Sequence, residues 1–362
     1  MPPIPSPLRL ALAARLATLA ASAAVLAVAL GGCSSARSVL PPRIEDQTSD
    51  TAELLIAAHA VGGGVVWVAG AGGTVGHTAD GGATWQLGVV PGADTLQFRD
   101  VVSFDDRTAW ALSIGPGAAS RIVKTVDGGA SWRTVFVNDE PEAFFDCLSM
   151  WDGRRGLAFS DSVEGAFVVV ATDDGGETWR RLPDDVLPPA HDGEGGFAAS
   201  GTCVATAGDD RAWIATGNAD PGRVLRTTDG GRTWTAHDTP VPGGDAAGLA
   251  SVAFLDGARG VAVGGDLSDP ASDADAVART ADGGRTWQPG GRLPFPGAAY
   301  GAAYVPESGA VVVVGPGGAA VSDDDGRTWR RVDGRAWWGV AASGPDAVWL
   351  TGPDGRIARL RL

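Results

Sequence analysis

Four carboxylates stand where short apolar runs begin or end. Asp146 opens the run DCLSM, and Asp161 closes the next one, in FSDSVEG. Glu194 lies in the glycine-rich stretch HDGEGGFAASGT, and Asp266 closes VGGD. Carboxylates brought to one opening bind a cation such as Ca²⁺, or a polyhydroxylated ligand. A pair held roughly 5–9 Å apart also serves as the acid and base of glycoside cleavage. Arg99, His191 and Tyr300 occupy comparable places, and Trp337–Trp338 precedes an apolar run. That pair is either a stacking platform for sugar or peptide, or core packing. The same loops carry many other acidic residues, which fit a plain solvated rim equally well.

Other chemistries lack their residues. The four histidines, His59, His77, His191 and His237, have no zinc-ligand spacing. The stretches GAGGTVG at 70–76 and GPGGAA at 315–320 lie between strands, not before a helix, so neither is a nucleotide fingerprint. No G-x-S-x-G elbow or Cys–His pairing stands out. Lys124 is the one lysine. No cofactor and no resident metal is expected, Ca²⁺ at the carboxylates excepted.

The frame for these residues is set by one eight-residue phrase that occurs six times. It reads TADGGATW at 78–85, TVDGGASW at 125–132, TDDGGETW at 172–179, TTDGGRTW at 227–234, TADGGRTW at 280–287 and SDDDGRTW at 322–329. Asp80, Asp127, Asp174, Asp229, Asp282 and Asp324 share the third position. Trp85, Trp132, Trp179, Trp234, Trp287 and Trp329 close the phrases, at spacings of 47, 47, 55, 53 and 42 residues. Periods of this size mark an array of similar supersecondary units. Each phrase has the makings of a hairpin turn. The Asp caps backbone N–H groups, Gly takes a positive φ without strain, and Thr and Trp restart a strand.

The flanks repeat as well. An apolar run precedes each phrase, a second run precedes that one, and a third lies earlier, as in RDVVSF at 99–104. Four short strands per unit follow, with no helical period. A seventh unit lacks the phrase and ends the chain, in WWGVAAS and DAVWLTGPDGRIARLRL. Its missing outer strand is expected from the segment near Arg43–Gln47, which would close a ring and remove its open edge. The expected fold is all-β: a seven-bladed propeller of four-stranded antiparallel blades. The phrases share a face with the turns between first and second strands. Long, irregular, acidic links at 136–145, 182–201, 238–248, 264–276 and 290–300 lie on the other face, which is therefore the expected functional one.

The first 32 residues differ. Arg9 and Arg15 are their only charges, an Ala/Leu/Val run follows, and Leu30-Gly31-Gly32-Cys33 ends it. This has the form of a secretion signal, with Cys33 as the expected lipidation site. Residues 33–50 read as a tether and 51–362 as the propeller. The net charge of −15 argues against nucleic acid or an anionic membrane surface as partner, so the lipid anchor is the expected membrane contact. Cys147 and Cys203 fall in first strands of adjacent blades, at registers about one residue apart. They form either a disulfide, which an oxidising compartment permits, or two buried thiols.

The six phrases resemble the Asp-box, or BNR, repeat of sialidases, some endoglucanases and sortilin-type receptors. With their spacing, and with FRDVVSFDD followed by TAWAL, residues 54–362 are most similar to the photosystem II assembly and stability factor family. That resemblance implies a propeller, and it implies no catalytic role for the phrases. A sialidase needs an arginine triad and a tyrosine nucleophile. Only Tyr300 and Tyr304 are available, and no such arginine motif precedes the first phrase. The expected function is a monomeric, non-catalytic propeller anchored in the outer membrane of a bacterial envelope and facing the periplasm. It would bind a protein or glycan through its acidic loop face. The alternative is a carbohydrate-active hydrolase using Asp146, Asp161, Glu194 or Asp266.

Overall fold

The computed structural model describes residues 41–273 and 276–362. The leader, Cys33 and the first part of the 33–50 stretch lie outside the described residues. The chain forms seven four-stranded antiparallel sheets. Blade 1 comprises Leu55–Gly62, Val65–Gly70, Thr74–Thr78 and Gln86–Val89, paired in that order. Five blades of the same order follow, within 98–137, 145–181, 204–238, 247–289 and 301–333. Blade 7 takes three strands from 339–361, and Arg43–Gln47 supplies its outer strand. The register there runs from Arg43 opposite Arg361 to Gln47 opposite Ile357. First and last parts of the ring are thus laced by a backbone ladder, which removes two open edges at once.

The repeated turns are built alike. In the second, Thr125 Oγ1 donates to Asp127 Oδ1 at 2.8 Å and accepts from Gly129 N at 3.0 Å. The same carboxylate accepts from Ser131 N at 2.9 Å and Ser131 Oγ at 2.6 Å. Gly128 and Gly129 have φ of 76° and 83°, a region open to Gly at little cost. In the sixth phrase Asp325 takes the first of these positions at φ 55°, which Asp tolerates better than most residues. Gly128 N donates to Arg107 O, in the turn between the first two strands of the blade. The corresponding bonds recur in blades 1, 3, 4 and 5, so both kinds of turn share one face.

The deepest wedges between blades are not the tryptophans that close the phrases. Of those six only Trp234 is buried, at 6% exposure, and the others are half-buried. Trp67, Trp110, Trp213 and Trp349, in second strands, are fully buried. Each lies beside a basic residue on the third strand: His77, Lys124, Arg226 and Arg359 respectively. His77 stacks on Trp67 at 4.4 Å, and Lys124 and Arg359 lie 5.2 and 5.6 Å from their indole rings. Trp110 Nε1 and Lys124 Nζ both donate to Gly175 O, in the repeated turn of the next blade. Trp213 Nε1 and Arg226 Nε do the same to Gly283 O. An indole and a cation thus clamp blades 2 and 4 to the repeated turns of blades 3 and 5.

Candidate functional site: the axial funnel

First strands of all blades converge on the axis, and on the face away from the repeated turns they leave a funnel of about 510 Å³. Six of the seven blades contribute to its wall. Leu54, Arg99 and Asp146 come from the starts of blades 1, 2 and 3, and Leu267 follows the second strand of blade 5. Tyr300 and Trp338 come from the entries of blades 6 and 7. The sector before blade 4 is filled by the link itself, through Gly196, Phe197, Ala198 and Ala199.

This link, between blades 3 and 4, crosses the axis and forms the funnel floor. Arg99 Nη1 of blade 2 donates to Ala198 O at 2.7 Å, and Ser200 Oγ donates to Tyr300 O of blade 6 at 2.7 Å. Thr202 Oγ1 lies 2.7 Å from Ser251 Oγ of blade 5. Gly195 and Gly217 exchange backbone hydrogen bonds at 3.1 and 2.8 Å. The glycines of GEGG are needed for this close approach. A Cβ on Gly195 would lie 1.9 Å from Asp161 Oδ1, and one on Gly196 would lie 2.7 Å from Asp146 Oδ2.

At the root of the link, Cys147 and Cys203 are joined in a disulfide with a Cα–Cα distance of 5.9 Å. The one-residue offset between their registers is absorbed by a β-bulge between Phe145 and Cys147. The bulge turns Cys147 back toward the neighbouring blade.

Two of the four candidate carboxylates meet in the funnel. Asp146 is buried, and its Oδ2 has no hydrogen-bond partner among the described residues. Burial pushes its pKa well above the carboxylate range, and the charge of Asp161 adds to this; the Ala198 N–H and Arg99 oppose it. Asp161 is raised to about 6 by burial, against the hydrogen bond from Gly196 N at 2.8 Å. Arg99 is lowered by burial and supported by Tyr300 and Asp146, and its Nε is buried without a partner among the described residues. Burial also raises Tyr300, against Arg99. The floor therefore presents two carboxyl groups held above the ordinary carboxylate pKa and a guanidinium with an unmet N–H, beneath aromatic walls.

The other candidates go elsewhere. Glu194 is 1% exposed and bound on all sides. Arg223 Nε and Thr216 Oγ1 donate to Oε1 at 2.9 and 2.6 Å, while Arg223 Nη2 and His191 N donate to Oε2. It anchors the link and faces no opening. Asp266 Oδ1 accepts from Ser268 N at 2.8 Å and Ser268 Oγ at 2.6 Å, which lowers its pKa. It caps a turn outside the funnel wall. Trp337 is fully buried, with Arg335 and Arg356 4.9 and 5.5 Å from its ring. Trp338 lines the funnel, edge-on to Tyr300 at 5.6 Å. The doublet is thus divided, one ring to the core and one to the site. His191 is exposed on the link. Among the described residues, no group of three or more His, Cys, Asp or Glu is placed to hold a metal ion.

Sequence reading did not single out Phe144, Phe197, Ile114 and Leu54, the apolar part of the wall. Phe197 had a signal, as the one bulky apolar residue in the glycine-rich stretch HDGEGGFAASGT. The other three resemble strand residues in every other blade.

No family model matches this chain, and no curated protein does. Solved structures are similar to it. YCF48 bound to D1 peptide superposes with a TM-score of 0.63 at 16% identity, over 90% of this chain and 96% of that one. YCF48 from Cyanidioschyzon merolae gives a TM-score of 0.60 at 16% identity, over 88% and 98%. The GH74 enzyme of Niastella koreensis gives 0.59 at 14% identity, over 87% of this chain and 53% of that one. At such identities the likeness is one of fold alone.

Proposed function

We propose that this propeller binds an extended segment of a protein partner in the axial funnel, without catalysis. One observation carries the reading: six blades and a crossing link build an aromatic-walled funnel whose floor holds unmet polar groups on Asp146 and Arg99. Buried polar groups of this kind are satisfied by a ligand or by water. Tyr300 and Trp338 supply rigid aromatic area, the usual source of binding energy. The similarity to YCF48, seen with D1 peptide, supports a peptide as ligand. The repeated phrases act here as Asp-box turns, structural members of the opposite face. We further propose that Cys33 is lipidated and holds the propeller at the periplasmic face of the outer membrane, as a monomer.

The test is selection from a displayed peptide library against the full chain and against Trp338→Ala and Tyr300→Ala. Peptides that bind the wild type and lose both variants support the reading. Peptides that bind all three equally overturn it.

A second reading follows from the raised pKa values of Asp146 and Asp161, which fit a general acid beside a carboxylate. Turnover in a screen of glycan substrates, lost in Asp161→Asn, would replace the binding-only reading with a glycoside hydrolase.

A further inference from the structure

The tryptophan of the clamp is replaced in blades 3, 5 and 6, and at blade 3 its absence leaves an open gap. In blade 3 the tryptophan position is Leu157, and its neighbour on the third strand is Ala171. Both halves of the clamp are missing there, while the repeated turn of blade 4 still faces the gap. Blade 5 has Val261 at the tryptophan position but keeps Arg279. A Cβ on Gly326 of the next turn would lie only 3.2 Å from Val261, so that joint is closed. Blade 6 has Val312 beside Val321, and blade 7 carries no phrase to face them.

The gap at blade 3 is a cavity of about 280 Å³. Leu157, Ala171 and Leu182 form its floor, and Gly230–Gly231 of the blade 4 turn form one wall. Trp151 forms another wall, held by its Nε1 bond to Arg211 O at 2.7 Å. Gly230 O corresponds to Gly175 O and Gly283 O, each of which accepts an indole N–H. Among the described residues, Gly230 O has no hydrogen-bond donor. At the rim, Arg181 pairs with Asp184 and Arg155 with Asp152, whereas Arg180 has no ion-pair partner among the described residues.

We propose that this socket binds a tryptophan side chain of a partner polypeptide with an acidic residue beside it. The indole takes the place that four other joints fill from within the chain. Its N–H meets Gly230 O, the ring lies on Leu157 and against Trp151, and Arg180 closes over it as the missing cation. The adjacent carboxylate meets the arginine rim. This site is on the face opposite the funnel and does not rest on the funnel's function.

The test uses an acetylated tryptophyl-aspartate dipeptide with a fluorinated indole, followed by fluorine NMR against the full chain. A saturable shift with the wild type is expected, unchanged in Trp338→Ala. Arg180→Glu should weaken it by about tenfold or more. The double variant Leu157→Trp/Ala171→Lys should abolish it while raising the thermal midpoint, because it rebuilds the clamp. The proposal is overturned by absence of saturation with the wild type, by loss in Trp338→Ala, or by equal binding to Arg180→Glu and to a folded double variant.

Discussion

Ser200 Oγ donates to the carbonyl of Tyr300 across 2.7 Å, and thereby ties the blade 3–4 link to blade 6 on the far side of the axis. The link is a floor because of such bonds, and the funnel has its depth because of the floor. Several consequences are measurable.

The link is held at its root by the Cys147–Cys203 disulfide, which closes a separation of 56 residues. Replacing both cysteines with alanine should cost about 2–5 kcal/mol of stability. Urea unfolding with an unchanged midpoint would refute this.

The buried Glu194–Arg223 pair is the second anchor, with side-chain exposures of 1% and 8%. Glu194→Gln leaves a buried guanidinium without its counter-charge, and should cost about 3–5 kcal/mol. Glu194→Leu combined with Arg223→Met should recover most of that loss. If the double variant unfolds as easily as the single one, the charge pair is not the cause.

The contribution of Asp161 to stability should fall as pH rises from about 4 to 6. Asp161 holds its proton more tightly in the folded state, with a pKa of about 6 against the ordinary carboxylate value. Between the two values the folded chain binds more protons than the unfolded chain, so raising pH favours unfolding. Asp161→Asn should therefore be the more stable protein at pH 7, by on the order of 2 kcal/mol. Its stability relative to the wild type should rise with pH across this window. Parallel pH profiles for variant and wild type would contradict the assignment. The aspartates of the repeated turns act oppositely, and at lower pH. Hydrogen bonds depress Asp80, Asp127 and Asp282 to about 2. Their contribution is present above the usual carboxylate pKa and is lost as pH falls toward 2.

Two glycines of the repeated turns separate backbone strain from clash. Gly230 has φ of 75° and nothing within 4 Å of an added Cβ. Gly230→Ala should cost roughly 1 kcal/mol, from its left-handed backbone alone. Gly176 has φ of 74°, and its Cβ would lie 2.4 Å from Trp110 Nε1. Gly176→Ala must also displace a buried wedge, for a total of about 3 kcal/mol or more. Equal losses in thermal unfolding would show that the wedge is not tightly seated.

Removing residues up to 48 deletes the outer strand of blade 7 and exposes Ile357–Arg361 as an edge. The ion pairs Arg335–Asp46 and Arg361–Glu45 are lost too, but they are largely exposed and matter little. A lower thermal midpoint and concentration-dependent association are expected. A monomer melting like the full chain would contradict the role of this strand.

Blade number, strand order and the closing strand Arg43–Gln47 were all legible in the sequence, and so was the form of the repeated turns. Each rests on local chemistry. A capping Asp, glycines with φ of 72–90° and a strand-forming Thr-Trp or Ser-Trp lie within eight residues, so a single chain shows them. The site was legible in outline only. Asp146, Asp161, Arg99, Tyr300 and Trp338 line the funnel. Glu194 went to an ion pair with Arg223, Asp266 to a turn and Trp337 to the core. Their local sequences do not differ in kind from those of the residues that stayed. The difference lies in contacts such as Arg99 to Ala198 and Ser200 to Tyr300, between residues 99 and 100 positions apart. Such contacts leave no periodic trace. They depend on where a 20-residue link lands once the ring has closed, and on the bulge that turns Cys147 toward Cys203. The sequence by itself therefore determined the scaffold and the face on which to look. Which carboxylates share a low-dielectric floor, and which joint between blades stands open, was decided by tertiary packing, because burial and pairing are properties of neighbours brought from distant parts of the chain.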